Sequence, residues 1–199
     1  MRSEGQLSFV EQARRRQFVQ CALESLHEAG FAGTSLAAVA QRAQISKSVV
    51  VYHFGSKQAL LEAVVETVYA SAVPDIMAAL EAAEGHRERL LAYVRIAVLF
   101  AADNVRSLIA VGEIFRNLRR PDGALRYTAA DGEELITFVE ELLRDGQEAG
   151  EFGDFDPRTV AVVIRAAIDA LPDRFHLDRE LDGPDVATKL CDAVDRMTR

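Results

Sequence analysis

The sequence predicts an all-α protein. Apolar residues recur at three- and four-residue spacing along nearly the whole chain, and glycine, proline and capping residues punctuate that spacing. No segment alternates with the period of two that marks a strand, and there is no internal repeat or low-complexity tract. At 199 residues and 49% apolar composition the chain can bury a real core in one or two domains.

About nine helices follow in order. Phe18, Val19, Ala22, Leu23 and Leu26 form one face of the first, and Gly30 sits where a C-terminal glycine is expected. Thr34 or Ser35 caps a short second helix carrying Leu36, Val39 and Ala40, and a third runs from about Lys47 to Phe54, with Ser46 as its cap. Gly55-Ser56 ends it, and Ser56 caps a fourth, reaching about Ala79, with Leu60, Leu61, Val64, Val65 and Val68 as its stripe. Helices over His86–Asp103, Arg106–Arg119 and Glu133–Glu148 come next, with Pro121-Asp122-Gly123 as a turn. Asp156-Pro157 is a cap followed by a first-turn proline, opening a helix to about Leu171, and the last helix opens at Gly183-Pro184.

Charge divides the chain. The total is −8, yet residues 1–57 carry seven basic and four acidic side chains, a net +3, which leaves −11 on residues 58–199. This asymmetry predicts a small basic module, 1–57, followed by an acidic body, 58–199, with the fourth helix as connector. No uninterrupted apolar run approaches the ~18 residues of a membrane span, and the start, Met1-Arg2-Ser3-Glu4-Gly5-Gln6, lacks the apolar block of a signal peptide. A cytoplasmic protein without a membrane partner is expected, its Cys21 and Cys191 separate reduced thiols.

The informative stretch is about 35–54. Its two short helices, joined by a tight turn at Ala43–Ser46, match the dimensions of a helix-turn-helix, and Ala40 is small enough for a close crossing. An outward helix N-terminus at Ser46 suits docking on DNA phosphates and presenting side chains to the major groove. An ordinary αα-corner has the same local pattern.

Residues from about Phe9 to Tyr69 resemble the DNA-binding domain of the TetR family of transcriptional repressors. The resemblance rests on Gly30-Phe31, Thr34-Ser35, Val39-Ala40, Ile45-Ser46-Lys47 and Tyr52-His53-Phe54-x-Ser56-Lys57-x-x-Leu60-Leu61. It implies that Lys47, Ser48, Val49, Tyr52 and His53 face the groove, Val49 meeting a thymine methyl and Lys47 a guanine or phosphate. It further implies phosphate contacts from Thr34, Ser35 and Lys57, with Arg14-Arg15-Arg16 adding attraction. Three positions depart from the family pattern: Gln44 stands where glycine is usual, Val51 where a tyrosine is common, and Ala37-Ala38 where polar residues are frequent. Gln44 is expected to adopt a left-handed backbone at a cost of ~1 kcal/mol.

The family also implies a C-terminal helical domain that binds a small effector and pairs two-fold, which Gly146-Gln147-x-x-Gly150-Glu151-Phe152 before Asp156-Pro157 resembles. Candidate interface residues are Val160, Val163, Ile164, Ala167 and Leu171 with Val186, Leu190, Ala193, Val194 and Met197, and a dimer predicts a palindromic operator. Candidate effector contacts are Glu113, Asn117, Arg165 and Asp169, with Tyr93, Phe100, Phe115 and Phe138 as walls, although Arg165 and Asp169 also suit a simple i,i+4 pair. The expected function is a repressor released from DNA by a small molecule. Alternatives are an activator, a DNA-binding protein under no ligand control or without sequence preference, and a helical metalloenzyme. For the last, Glu24-x-x-His27 supplies only one copy of a motif that di-iron bundles need twice. With no nucleophile elbow, P-loop, dinucleotide fingerprint or Cys-His cluster, neither enzymatic activity nor a cofactor or metal is expected.

Overall fold

The computed structural model describes residues 9–199, and the polar start Met1–Gln6 lies outside them. Among the described residues the fold is entirely helical apart from one isolated antiparallel bridge, Arg119 to Leu125. Eleven α-helices occur in chain order: α1 Phe9–Gly33, α2 Leu36–Arg42, α3 Lys47–Phe54, α4 Lys57–Ala70, α5 Val73–Ala82, α6 His86–Asp103, α7 Val105–Asn117, α8 Glu133–Glu148, α9 Pro157–Asp169, α10 Leu171–Leu177 and α11 Gly183–Met197. Two helices exceed the expected nine. A turn divides the expected fourth helix, and α10 follows where the helix from Asp156 was expected to end, each new helix opening with a proline at its second position. Ser71-Ala72 separates α4 from α5, whose second residue is Pro74, and Ala170 separates α9 from α10, whose second is Pro172. Residues 57–82, taken through that first turn, are long and apolar enough to cross a bilayer by length and composition, although Glu62, Glu66 and Asp75 interrupt the apolar run.

The chain forms two compact units, and their boundary falls elsewhere than after Lys57. One holds residues up to Tyr69 together with Ala110–Arg126; the other holds Ala70–Ile109 and Tyr127–Arg199. Nearly all of α4 joins the first unit because Leu60, Leu61, Val64, Val65 and Val68 are buried. Helix α7 is unbroken across the division between Ile109 and Ala110.

In the first unit Phe18, Ala22, Leu26, Val39 and Val50 are buried, and Phe18 meets the Phe54 ring edge-on at 6.3 Å. Ser35 caps α2 by accepting from the Ala38 N–H at 3.1 Å, and Ser56 caps α4 by accepting from Ala59 at 3.0 Å. Ser46 occupies the cap position of α3, but its hydroxyl pairs with that of Ser48 and makes no cap bond. Gln44 has φ 55°, the one non-glycine positive φ among the described residues, as its place in the turn requires.

In the second unit α6 is the central helix. Its Leu90, Tyr93, Val94 and Val98 are buried with Val139 and Leu143 of α8, Ala161 and Ile164 of α9, and Ala187 and Val194 of α11. The glycine-containing turn after α8 explains its own sequence. A Cβ at Gly146 would collide with the Phe152 ring, so the glycine admits that aromatic to the core. Gln147 donates to the carbonyls of Gly153 and Phe155 at 2.8 and 3.0 Å, holding the turn. The Glu151 carboxylate then accepts from the backbone N–H groups of Arg87 at 2.9 Å and His86 at 3.1 Å, closing the N-terminus of α6. Asp156 caps α9 through the Thr159 N–H at 2.8 Å.

Replacing Gln44 by glycine relieves the left-handed strain and should raise stability by about 0.5–1 kcal/mol in denaturant titration, part of the relief being offset by glycine's unfolded-state entropy. The backbone N–H groups of Arg87 and His86 lower the Glu151 pKa, so its stabilisation is complete above the unfolded glutamate pKa, about 4.3. That stabilisation disappears as pH falls through the depressed folded value. Glu151→Gln should therefore lower Tm at pH 7, and its deficit against wild type should close in thermal denaturation toward pH ~3.

Candidate nucleic-acid interface

Helix α3 is built with one side inward. Val50 and Phe54 are buried, while Lys47, Ser48, Val49, Val51 and Tyr52 are exposed, Tyr52 by 76%. Val51, named from the sequence only as a departure from the family pattern and given no contact, follows Lys47 by one helical turn and shares its face. His53 is half-buried, its ring edge-on to Phe18 at 5.4 Å and to Tyr52 at 5.3 Å. It props Tyr52 from behind more than it offers a polar edge.

Several expected contacts prove to be internal. The Arg15 guanidinium donates to the His53 carbonyl and lies 4.3 Å from the Phe54 ring centre, so it ties the end of α3 to α1. Thr34 is fully buried and donates to the Gly30 carbonyl at 2.9 Å and to Ser25, so its hydroxyl is unavailable to a phosphate. Ser35 is half-buried at the N-terminus of α2, its oxygen used in the cap. Arg42 pairs with Glu24 and Glu28, pinning α2 to α1 and engaging the carboxylate of the Glu24-x-x-His27 motif. No cluster of three potential metal ligands occurs among the described residues.

A second constellation surrounds Phe31. Gly30, at φ 66° and ψ −177°, breaks the helix and leaves the Phe31 backbone groups without helical partners. The Phe31 N–H donates to the Glu113 carboxylate of α7 at 2.9 Å. Its carbonyl accepts from the Lys57 ammonium of α4 at 2.7 Å, and that ammonium lies 4.2 Å from the Phe31 ring centre. Burial pulls the Lys57 pKa below the ordinary lysine value. Sequence reasoning placed Lys57 on phosphate and Glu113 in an effector site; one backbone unit holds both.

The candidate effector residues thus separate. Glu113, Phe115 and Asn117 lie in the first unit, where Phe115 stacks on Tyr69 at 6.4 Å and the Asn117 amide donates to the Glu113 carbonyl at 2.9 Å. Tyr93, Phe138, Arg165 and Asp169 come together in the second. The buried Arg165 donates to the Tyr93 hydroxyl at 2.8 Å and pairs with Asp169, while the Tyr93 and Phe138 rings are 5.4 Å apart. Burial raises the Tyr93 phenol pKa, with Arg165 opposing. Phe100 is half-buried on α6 in the same unit.

The candidate dimer residues also divide. Val160, Ile164 and Val194 are consumed by the protomer core, because these positions face α6 and α8 and not solvent. Val163, Ala193 and Met197 are exposed, and Ala167, Leu171, Val186 and Leu190 are half-buried. Val162 and Ala166 extend the exposed apolar stripe of α9, and Ala170, just past its end, continues it.

Residues 19–64 match the family model for bacterial regulatory proteins of the tetR family, and residues 83–198 match the tetracyclin repressor-like C-terminal domain. A 59-residue segment is 48% identical to the HTH-type transcriptional regulator BetI of Burkholderia thailandensis, spanning 30% of each chain. A bacterial regulatory protein of the tetR family from Rhodococcus RHA1 superposes with a TM-score of 0.78 at 22% identity, over 92% of this chain and 96% of that one. AibR, crystallised with isovaleryl coenzyme A and operator DNA, does so with a TM-score of 0.71 at 19% identity, over 93% and 97%. With the second domain model alone matching more than half of its length, the chain belongs to the tetR family of bacterial transcriptional regulators.

Proposed function

We propose that this protein is a cytoplasmic, homodimeric, sequence-specific DNA-binding repressor, released from a palindromic operator by a small-molecule effector. The observation that carries the reading is α3, whose Lys47, Ser48, Val51 and Tyr52 form an outward face. That face stands on buried Val50 and Phe54 and is anchored by Arg15. A rigid short helix with an apolar back and a mixed front is what major-groove reading needs. Lys47 supplies charge for guanine or phosphate, Val49 and Val51 supply methyl contacts, and Tyr52 supplies a hydroxyl.

Dimerisation is supported by the exposed α9 residues Val162, Val163 and Ala166, continued at Ala170 and joined by Ala193 and Met197 of α11. Two such helix pairs make a four-helix interface and set two reading helices ~34–36 Å apart. That AibR was crystallised with both isovaleryl coenzyme A and operator DNA supports a small-molecule effector, which we assign to the second unit. Arg165, Tyr93 and Phe138 mark where its polar and aromatic contacts are sought. Coupling of about 1–3 kcal/mol between effector and operator gives a 5–150-fold change in affinity.

Selection of bound duplexes from a random-sequence library should return a palindrome; recovery of no preferred sequence refutes the reading. On that operator, Lys47→Ala should cost roughly tenfold in affinity by fluorescence anisotropy. Val49→Ala should change base preference at one position by about 1 kcal/mol or more, with binding to random duplex unaltered. Val163→Arg should shift sedimentation from dimer to monomer and lower operator affinity at least tenfold, because the half-sites then bind separately.

A further inference from the structure

The charge of the reading unit raises a question that α1–α4 do not answer. Among the described cations of α1–α4, Arg15 is bound to the end of α3, Arg42 to Glu24 and Glu28, and Lys57 to Phe31. Of these only Arg42 is paired with carboxylates, while Arg15 and Lys57 are turned onto backbone carbonyls; Arg14, Arg16 and Lys47 remain, and Arg14 donates to Gln17. A protein of net charge −8 needs more cation than this to hold a polyanion.

The missing charge lies in the segment that compactness assigns to the same unit, Ala110–Arg126. It carries Arg116, Arg119, Arg120 and Arg126 against Glu113 and Asp122, a net +2. After α7 the chain turns back on itself: the Arg126 N–H donates to the Leu118 carbonyl, the Arg120 N–H to Ala124, and the Gly123 N–H to Arg120. Arg126 pairs with Glu62 of α4 and anchors this hairpin. The other three arginines are exposed, and none has a carboxylate partner among the described residues. Arg119 and Arg120 each place one nitrogen on a hairpin carbonyl, both at 3.3 Å, which steadies the side chain and leaves most donors free.

Position follows from the same bonds. Glu113 sits on the Phe31 N–H, and Phe31 lies four residues before Ser35 at the start of α2. Arg116 is about one helical turn beyond Glu113 on the same helix, its guanidinium lying over Gly112, and it is exposed. We propose that Arg116, Arg119 and Arg120 form a second DNA-backbone contact, laid on phosphates flanking the half-site read by α3. The proposal rests on the DNA-binding reading above. Planar guanidinium forks suit phosphate oxygens, and contacts of this kind add affinity and register without reading bases.

The test compares the full-length wild type with R116Q/R119Q/R120Q and R116K/R119K/R120K. Each is titrated by anisotropy onto the selected operator with long flanks, the same operator trimmed to its half-sites, and a random-sequence duplex. On the long operator and the random duplex the glutamine variant should bind at least tenfold more weakly. Its slope of log affinity against log salt should fall by about 2–3. On the trimmed operator it should resemble wild type, and the lysine variant should retain most affinity throughout. Circular dichroism melting checks folding, and R116Q, outside the hairpin, should by itself reduce the slope by about one. An unchanged slope on the long operator, in a folded glutamine variant or in R116Q, overturns the proposal and leaves the cluster to an acidic protein partner. Failure of the wild type to bind any duplex overturns the DNA-binding reading instead.

Discussion

One backbone unit organises the reading head. Just past the Gly30 break in α1, the Phe31 N–H and C=O both take side-chain partners from other helices. Glu113 of α7 takes the N–H and Lys57 of α4 takes the C=O, so three helices meet on one residue's backbone. A carboxylate and an ammonium serve here as geometric pins. They fix where α1 ends, and hence where Thr34 and Ser35 begin α2 and where α3 presents its face.

Charge is distributed to the same purpose. Within the head, the cations tied inward hold helices in place. Arg15 closes α3, Arg42 locks α2, and Lys57 holds Phe31. Outward charge is left to a few side chains, while the second unit uses its carboxylates as helix caps at Glu151 and Asp156. Net charge therefore describes the partner poorly until each ion is assigned as internal or free.

The fold was legible because helical periodicity and capping are local. Asp156, Ser35 and Ser56 cap their helices as their positions in the chain indicate, and Gln44 takes the strained backbone that its place in the turn demands. The site was legible only in part, because burial is a tertiary property. Nothing near Thr34 announces that Ser25 and Gly30 will enclose its hydroxyl, and nothing near Arg15 announces the carbonyl of His53, 38 residues away. The compact units divide elsewhere than the charge does for the same reason. Residues 110–126 follow acidic sequence, yet a contact 82 residues back, Glu113 to Phe31, draws them into the basic unit.

That displacement bears on regulation. Helix α7 begins among residues of the second unit and, without a break, carries Glu113 and then Arg116 into the first. Of the arginine cluster only Arg116 rides on α7 with Glu113, while Arg119 and Arg120 lie in the hairpin beyond its end. Where effector and operator bind one protein, linkage makes any coupling between them reciprocal, each altering the other's affinity by the same factor.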